Sequence, residues 1–252
     1  MKAKRIVEIE HFINNKNAVT LEELSKNFNV SINTIRRDIN QLVKMDKVKK
    51  VYGGVESVNI SHSSATDFND RNIEHSEDKR HIGQLAVQKL EAGDVVYIDT
   101  GTTTMHILDY IDKALPLTVI TNSLDVMNKA VQLENIDLFI IGEQFKKTTR
   151  SFIGVDRHSL LNKMNIQKAF MAATGINVPN GLSNSEVEEN YIKQLVMKKS
   201  KQKYICVDSS KMNKSTLLTY APLDSVHSII TNQPLPENIA DFAEKNGIEV
   251  YY

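Results

Sequence analysis

From residue 95 onward the chain alternates short apolar runs with helix-like stretches, and no other feature of the sequence constrains its fold as strongly. Val95-Val96-Tyr97-Ile98 leads into Asp99-Thr100-Gly101-Thr102-Thr103-Thr104 and a helix expected to about Asp112. Leu117 to Thr121 leads into Asn122-Ser123 and a helix expected over 124–133. Leu138 to Ile141, Ala169 to Ala173, Tyr204 to Val207 and Val226 to Ile230 are further runs of the same kind, with a long helix expected over about 186–200. Strands this apolar are buried on both faces, and strands separated by helices pair in parallel. The expected body, residues 81–252, is an α/β layer: a parallel sheet flanked by helices, with ligands bound at the carboxyl ends of its strands.

Those ends hold the candidate ligand residues. Asp99, Thr100, Gly101, Thr102, Thr103 and Thr104 follow a strand and open a helix, so backbone N–H groups and threonine hydroxyls there suit a phosphate. The segment lacks the Gly-x-x-x-x-Gly-Lys pattern of nucleotide-binding loops, so a compact phosphate monoester fits better than a triphosphate. A Thr-capped turn with no ligand is the plain alternative. Thr121, Asn122 and Ser123, then Thr174 and Gly175, then Asp208-Ser209-Ser210-Lys211 end three other strands, with Lys211 as countercharge. Lys146, Lys147 and Arg150 form a second cationic cluster before Ser151-Phe152-Ile153-Gly154.

The first 58 residues obey a different rhythm. Ile6, Ile9, Phe12 and Ile13 recur at helical spacing over residues 2–15. Thr20-Leu21-Glu22-Glu23 is a capping box opening a helix over about 21–28, and Ser31 is a good N-cap for a helix from Ile32 to Leu42. At roughly 100° per residue, Ile32, Ile35, Ile39 and Leu42 share one arc. Asn33, Thr34, Arg37 and Gln41 occupy the opposite arc, with Arg36 and Asn40 on its flank. Such side chains suit base edges, Arg for guanine and Asn or Gln for adenine, although a solvated face in a small bundle has the same look. Residues 47–55 then alternate around Gly53-Gly54 as a β-hairpin does, carrying Lys47, Lys49 and Lys50. Two short helices, a tight turn and a hairpin make a winged helix-turn-helix, with the wing lysines beside the DNA backbone.

Charge divides along the same line. Residues 1–60 hold 11 Lys and Arg against 7 Asp and Glu, and the remainder holds 20 against 24, a basic head on an acidic body. That polarity fits a head that meets a polyanion. Between them, residues 59–80, rich in Ser, Asn, Asp and His, read as a linker with one short helix near its end. No apolar run approaches the roughly 20 residues of a membrane-spanning helix. The N-terminus shows no secretory pattern, so a cytoplasmic location is expected and no membrane partner. Cys206, alone in an apolar run, reads as a small buried hydrophobe, and no histidine pair has zinc spacing. Neither a metal nor a cofactor is expected.

The spacing Thr34-Ile35-Arg36-Arg37-Asp38-Ile39 followed by Val51-Tyr52-Gly53-Gly54-Val55 resembles the N-terminal signature of DeoR-type bacterial transcriptional repressors. The resemblance implies that the helix bearing Arg36 and Arg37 is the recognition helix, with DNA contacts from Ser31, Asn33, Thr34, Arg36, Arg37, Gln41, Lys49 and Lys50. Residues of about 80–232 are similar to that family's effector domain, which implies a fold like ribose-5-phosphate isomerase, a phosphate loop at Thr100-Gly101-Thr102-Thr103 and an Asp-x-Ser-Lys motif at Asp208 to Lys211. Where the isomerase carries acidic residues for proton transfer, this chain has Ala172-Ala173-Thr174-Gly175-Ile176, and without carboxylates acid–base isomerisation loses its proton carriers.

Residues 142–154 and 214–222 look most like family members that repress myo-inositol catabolism, which implies a phosphorylated keto-acid inducer. The expected protein is a homo-oligomeric repressor, dimer or tetramer, that binds double-stranded operator DNA and is released by a phosphorylated sugar or sugar acid. An isomerase-like enzyme with an added DNA-binding domain is the alternative, since Glu186, Glu188 and Glu189 remain.

Overall fold

In the computed structural model the chain forms two compact units, Met1–Ser61 and His62–Tyr252. The described residues are 5–6, 8–10, 12–13, 18–45, 47–51, 54–57, 68–155 and 160–252.

In the first unit, helical residues Ile6, Ile9 and Ile13 pack with Leu24, Ile35, Ile39 and Leu42 in one small core. Strand β1 (Ala18–Thr20) runs into helix α1 (Leu21–Asn27), where Thr20 Oγ1 accepts the Glu23 N–H at 3.1 Å. Helix α2 (Ile32–Lys44) is capped by Ser31, whose Oγ accepts the Thr34 N–H at 3.3 Å. Asn29, in the turn between the helices, has φ 49°, a left-handed conformation that asparagine tolerates. Strands β2 (Val48–Val51) and β3 (Gly54–Ser57) form the expected wing, closing at the Val51–Gly54 pair. Tyr52-Gly53, half of the expected turn, lies outside the described residues. An unexpected third strand joins: β1 pairs with β3, giving the order β1-β3-β2. Gly54 is required there, because a Cβ would collide with the Val19 carbonyl.

The second unit begins its described part with helices α3 (Phe68–Ile73) and α4 (Ser76–Val87). Residues 68–80 were expected to belong to the linker, but Phe68 and Ile82 are buried in the core and α4 is part of this unit. The apolar anchors are too sparse in sequence to show a period. Strands β4 (Val95–Ile98), β5 (Leu117–Thr121), β6 (Ile136–Ile140) and helix α5 (Leu124–Ala130) follow. Strands β7 (Gln144–Lys146) and β8 (Ser151–Ile153) form an antiparallel hairpin. Then come β9 (Lys168–Met171), β10 (Gly175–Asn177), β11 (Gly181–Asn184) and α6 (Val187–Lys199). The chain ends with β12 (Gln202–Cys206), β13 (Leu218–Ala221), β14 (Ser228–Ile230), α7 (Glu237–Lys245) and β15 (Glu249–Tyr251).

Seven strands form one sheet, ordered β15-β14-β12-β9-β4-β5-β6, and every pairing is parallel. Both faces are covered, as the apolar runs require. Val96, Ile98, Tyr204 and Cys206 pack with Ile82, Ile107 and Val126 on one side. Tyr97, Ile205 and Val207 pack with Ile192, Val196 and Ile239 on the other, where a small antiparallel sheet, β10-β11-β13, adds Leu182 and Tyr220. The stretch after Thr103, expected to be a helix to Asp112, is a 3₁₀ turn over Thr104–Asp109. No helix among the described residues is long and apolar enough to cross a membrane.

Candidate functional site

The order of the large sheet reverses between β4 and β9: chain order runs outward to β5 and β6 on one side and to β12, β14 and β15 on the other. A crevice opens at the carboxyl ends of strands where such a reversal occurs. Here it is lined by Thr100, Gly101, Thr102 and Thr103 after β4, Ala172, Ala173 and Thr174 after β9, and Lys211 beyond β12. Asn184, Ser185, Glu186, Glu189 and Lys193 line it from β11 and α6, and Thr149 from the hairpin loop.

Asp99 organises the floor. Its buried carboxylate accepts the Thr100 N–H at 2.8 Å and the Ala172 N–H at 2.8 Å, and it takes the Lys193 ammonium, so one side chain ties the ends of β4 and β9 to α6. Lys193 also donates to the Ala172 carbonyl at 3.2 Å. Gly101 allows the close approach of these loops, since a Cβ there would lie 2.5 Å from that of Ala172. Asp208 accepts the Ser210 N–H at 3.0 Å and shapes the turn that presents Lys211. Burial pushes the Asp208 carboxyl up, but the Lys211 charge and the Ser210 hydrogen bonds outweigh it and hold the carboxyl below its usual range.

Several expected ligand residues are engaged by other groups of the protein. Asp99 is wholly engaged as above, and a carboxylate repels phosphate. The Thr104 hydroxyl donates to the Asp99 carbonyl at 2.7 Å and is fully buried. Thr121 Oγ1 donates to the Ile98 carbonyl at 2.7 Å, Asn122 bonds Tyr97 and Phe152, and Ser123 caps α5 through the Val126 N–H. Gly175 packs against the Lys214 carbonyl and does not line the crevice.

The second cationic cluster is not assembled. Arg150, at φ 52°, donates to both oxygens of Asp125, Lys146 is paired with Glu186 and Glu188 at 2.6 and 2.8 Å, and Lys147 is exposed away from the crevice. Those acidic partners are distant in sequence, so the run looked more cationic than it is. Only a 3₁₀ turn follows Thr103, so the loop offers its own N–H groups to the crevice and not a helix dipole.

Sequence reading missed Lys193 and named Glu189 only as a carboxylate left for the isomerase alternative. They stand four residues apart on α6, within the same buried arc as Ile192 and Val196, and charge on an apolar arc was the available signal.

In the first unit, Asn33, Arg36, Arg37 and Gln41 are exposed on α2, while Thr34 is partly buried with its hydroxyl 3.0 Å from Ser31 Oγ. Asp38 faces inward and accepts from Arg5 Nε at 2.8 Å, so it orients Arg5 and not its neighbours. Arg36, Asn40 and Lys50 line a groove between α2 and the wing. Lys49 and Lys50 are exposed on the wing, and Lys47 pairs with Glu10 at 3.2 Å.

An exposed polar helix beside a basic hairpin, and a crevice at a sheet's switch point, define a helix-turn-helix protein with a sensor domain. Residues 5–61 match the DeoR-like helix-turn-helix domain and residues 74–233 the DeoR C terminal sensor domain. The chain belongs to the DeoR family of transcription regulators. It is 46% identical, over 100% of its length and 99% of the relative's, to the HTH-type transcriptional regulator IolR of Bacillus subtilis. It is 28% identical to the lactose phosphotransferase system repressor of Staphylococcus epidermidis, covering 99% of this chain and 97% of that one. Among solved structures, ribose 5-phosphate isomerase A of Methanocaldococcus jannaschii aligns over 54% of each chain at 17% identity and TM-score 0.41. The sorbitol operon regulator SorC of Klebsiella pneumoniae aligns over 94% of this chain and 97% of its own at 10% identity and TM-score 0.44.

Proposed function

We propose that this chain represses a carbohydrate catabolic operon, that of myo-inositol by its resemblance to IolR, and leaves its operator when a phosphorylated sugar or sugar-acid intermediate fills the crevice of the sensor domain. The observation that carries this reading is the convergence of Thr100–Thr103, Thr174 and Lys211 on one crevice. Thr102, Thr103 and the loop N–H groups hold the phosphate, and Lys211 supplies its countercharge. Ser31, Asn33, Thr34, Arg36, Arg37 and Gln41 meet the major groove, and Lys49 and Lys50 meet the backbone. The regulator acts in the cytoplasm as a dimer or tetramer, because a symmetric pair of heads reads two half-sites. Asp99, the carboxylate under the loop, is consumed by two N–H groups and Lys193, so it has a structural part and not an acid–base one.

Ligand shifts the equilibrium only if it binds the DNA-competent and DNA-incompetent states unequally. The test is binding to DNA from upstream of the protein's own gene and its neighbours, with and without sugar phosphates that include inositol-pathway intermediates. One phosphorylated compound should release specific DNA from the natural protein and fail to release it from Lys211→Ala. Release from Lys211→Ala at the same concentration removes Lys211 from the site.

A further inference from the structure

Glu189 lines the crevice but cannot hold a phosphate, because like charges repel. Its carboxylate is nonetheless well placed. The Ser151 hydroxyl donates to Glu189 Oε1 at 2.6 Å, and Thr149 lies 2.7 Å behind Ser151. Lys193, one turn along α6, is turned onto Asp99. A carboxylate offers about four lone-pair positions, so the Ser151 hydrogen bond leaves acceptor capacity free for a ligand in the crevice. Burial pushes the Glu189 carboxyl up, the Lys193 charge and the Ser151 bond oppose, and the net direction is upward. Beside it, the Ser185 hydroxyl is buried with no hydrogen-bond partner among the described residues.

The sheet order makes the crevice two-ended. Lys211 lies beyond β12, whereas Ser151, which holds Glu189, bridges to Ser123 at the end of β5. One end is cationic, and the other presents a carboxyl, hydroxyls and an unmatched serine.

We propose that Glu189 is a specificity-determining residue that accepts hydrogen bonds from hydroxyl groups at the end of the ligand remote from its phosphate, so that the crevice selects the phosphate monoester of a polyhydroxylated chain over bare phosphate. This rests on the sensor reading above and names the chemical class it selects. A phosphate without those hydroxyls leaves Glu189 and Ser185 desolvated and unmatched, and buried sites discriminate strongly against such losses. Ser151 acts through Glu189 as a positioning residue.

The experiment is calorimetric titration of the full chain with inorganic phosphate, D-ribose 5-phosphate, D-glucose 6-phosphate and D-glucitol 6-phosphate. The natural protein should prefer at least one sugar phosphate to inorganic phosphate. Glu189→Met should reduce that preference about tenfold or more with the Kd for inorganic phosphate held within about twofold, and Glu189→Gln should restore part of it. Ser151→Ala, which leaves the crevice lining intact, should reduce the preference about threefold and carries the test if Glu189→Met does not fold. An unchanged preference in these variants, or an equal loss for every phosphate, overturns the assignment. If inorganic phosphate binds through Lys211 but no sugar phosphate binds better, the sensor reading stands and the role of Glu189 falls. If no phosphate binds, both fall together.

Discussion

The Lys193 ammonium lies on the Asp99 carboxylate, both side chains almost wholly buried, across 94 residues of sequence. Removing one member of such a pair strands the other charge in the interior, which costs about 3–5 kcal/mol. Lys193→Met should therefore lower the stability of the body by that amount in urea unfolding of the full chain. Asp99→Asn in the same background should recover part of it, because the stranded charge is gone. A loss below about 1 kcal/mol for Lys193→Met would show that water reaches the pair.

Gly101 has a narrower role. Its missing Cβ lets the loop after β4 pass 2.5 Å from where it would strike Ala172, and Thr104 Oγ1 would stand at 3.0 Å. Gly101→Ala should push the phosphate loop away from Ala172 at a stability cost of about 1–3 kcal/mol. Phosphate affinity should fall at least tenfold, measured by the same titration, with operator affinity in the absence of ligand unchanged. Native phosphate affinity in the variant would mean that the loop does not cradle the anion.

The elements legible in the sequence are those whose cause is local. Thr20 and Ser31 cap helices through residues three positions ahead, and the apolar strands β4, β5, β9 and β12 announce burial on both faces. The small sheet β10-β11-β13 was illegible, since Gly175–Asn177 and Gly181–Asn184 are short, glycine-led and stabilised by partners up to 40 residues away. Arg150 illustrates the same limit at the site: its charge was visible, but Asp125, which neutralises it, is 25 residues upstream. That the Thr100–Thr103 loop and Lys211 border the crevice was readable from their positions after strands. Lys193 was hidden, and Glu189 was read only as a spare carboxylate, because their partners, Asp99 and Ser151, meet them only through the fold.

On the DNA side, Arg37 and Lys50 separate reading from holding. Arg37 is exposed on α2, and Lys50 is exposed on the wing, bordering the groove it shares with Arg36. Arg37→Ala should weaken a specific operator by about 1–3 kcal/mol while changing random DNA far less. Lys50→Ala should weaken both alike and reduce the salt dependence of binding by about one counterion. Band-shift titrations at two salt concentrations measure all four effects. Equal losses on both DNAs for Arg37→Ala would remove it from base recognition.

His106 gives the body a pH dependence of known sign. It is buried beneath α4, with Nδ1 2.8 Å from Asp109 Oδ2 and Nε2 unpartnered among the described residues. Desolvation lowers its pKa, the Asp109 hydrogen bond opposes, and Lys129, itself on Asp109, adds to the lowering. The unfolded chain then binds the proton more readily than the native one, so stability rises with pH. The full contribution is present above the unfolded value, near 6.5, and is lost as pH falls from there toward the depressed native value. Urea midpoints at pH 7.5 and 5.5 should therefore drop for the natural protein and drop less for His106→Gln. An equal drop in both would assign the acid sensitivity to other groups.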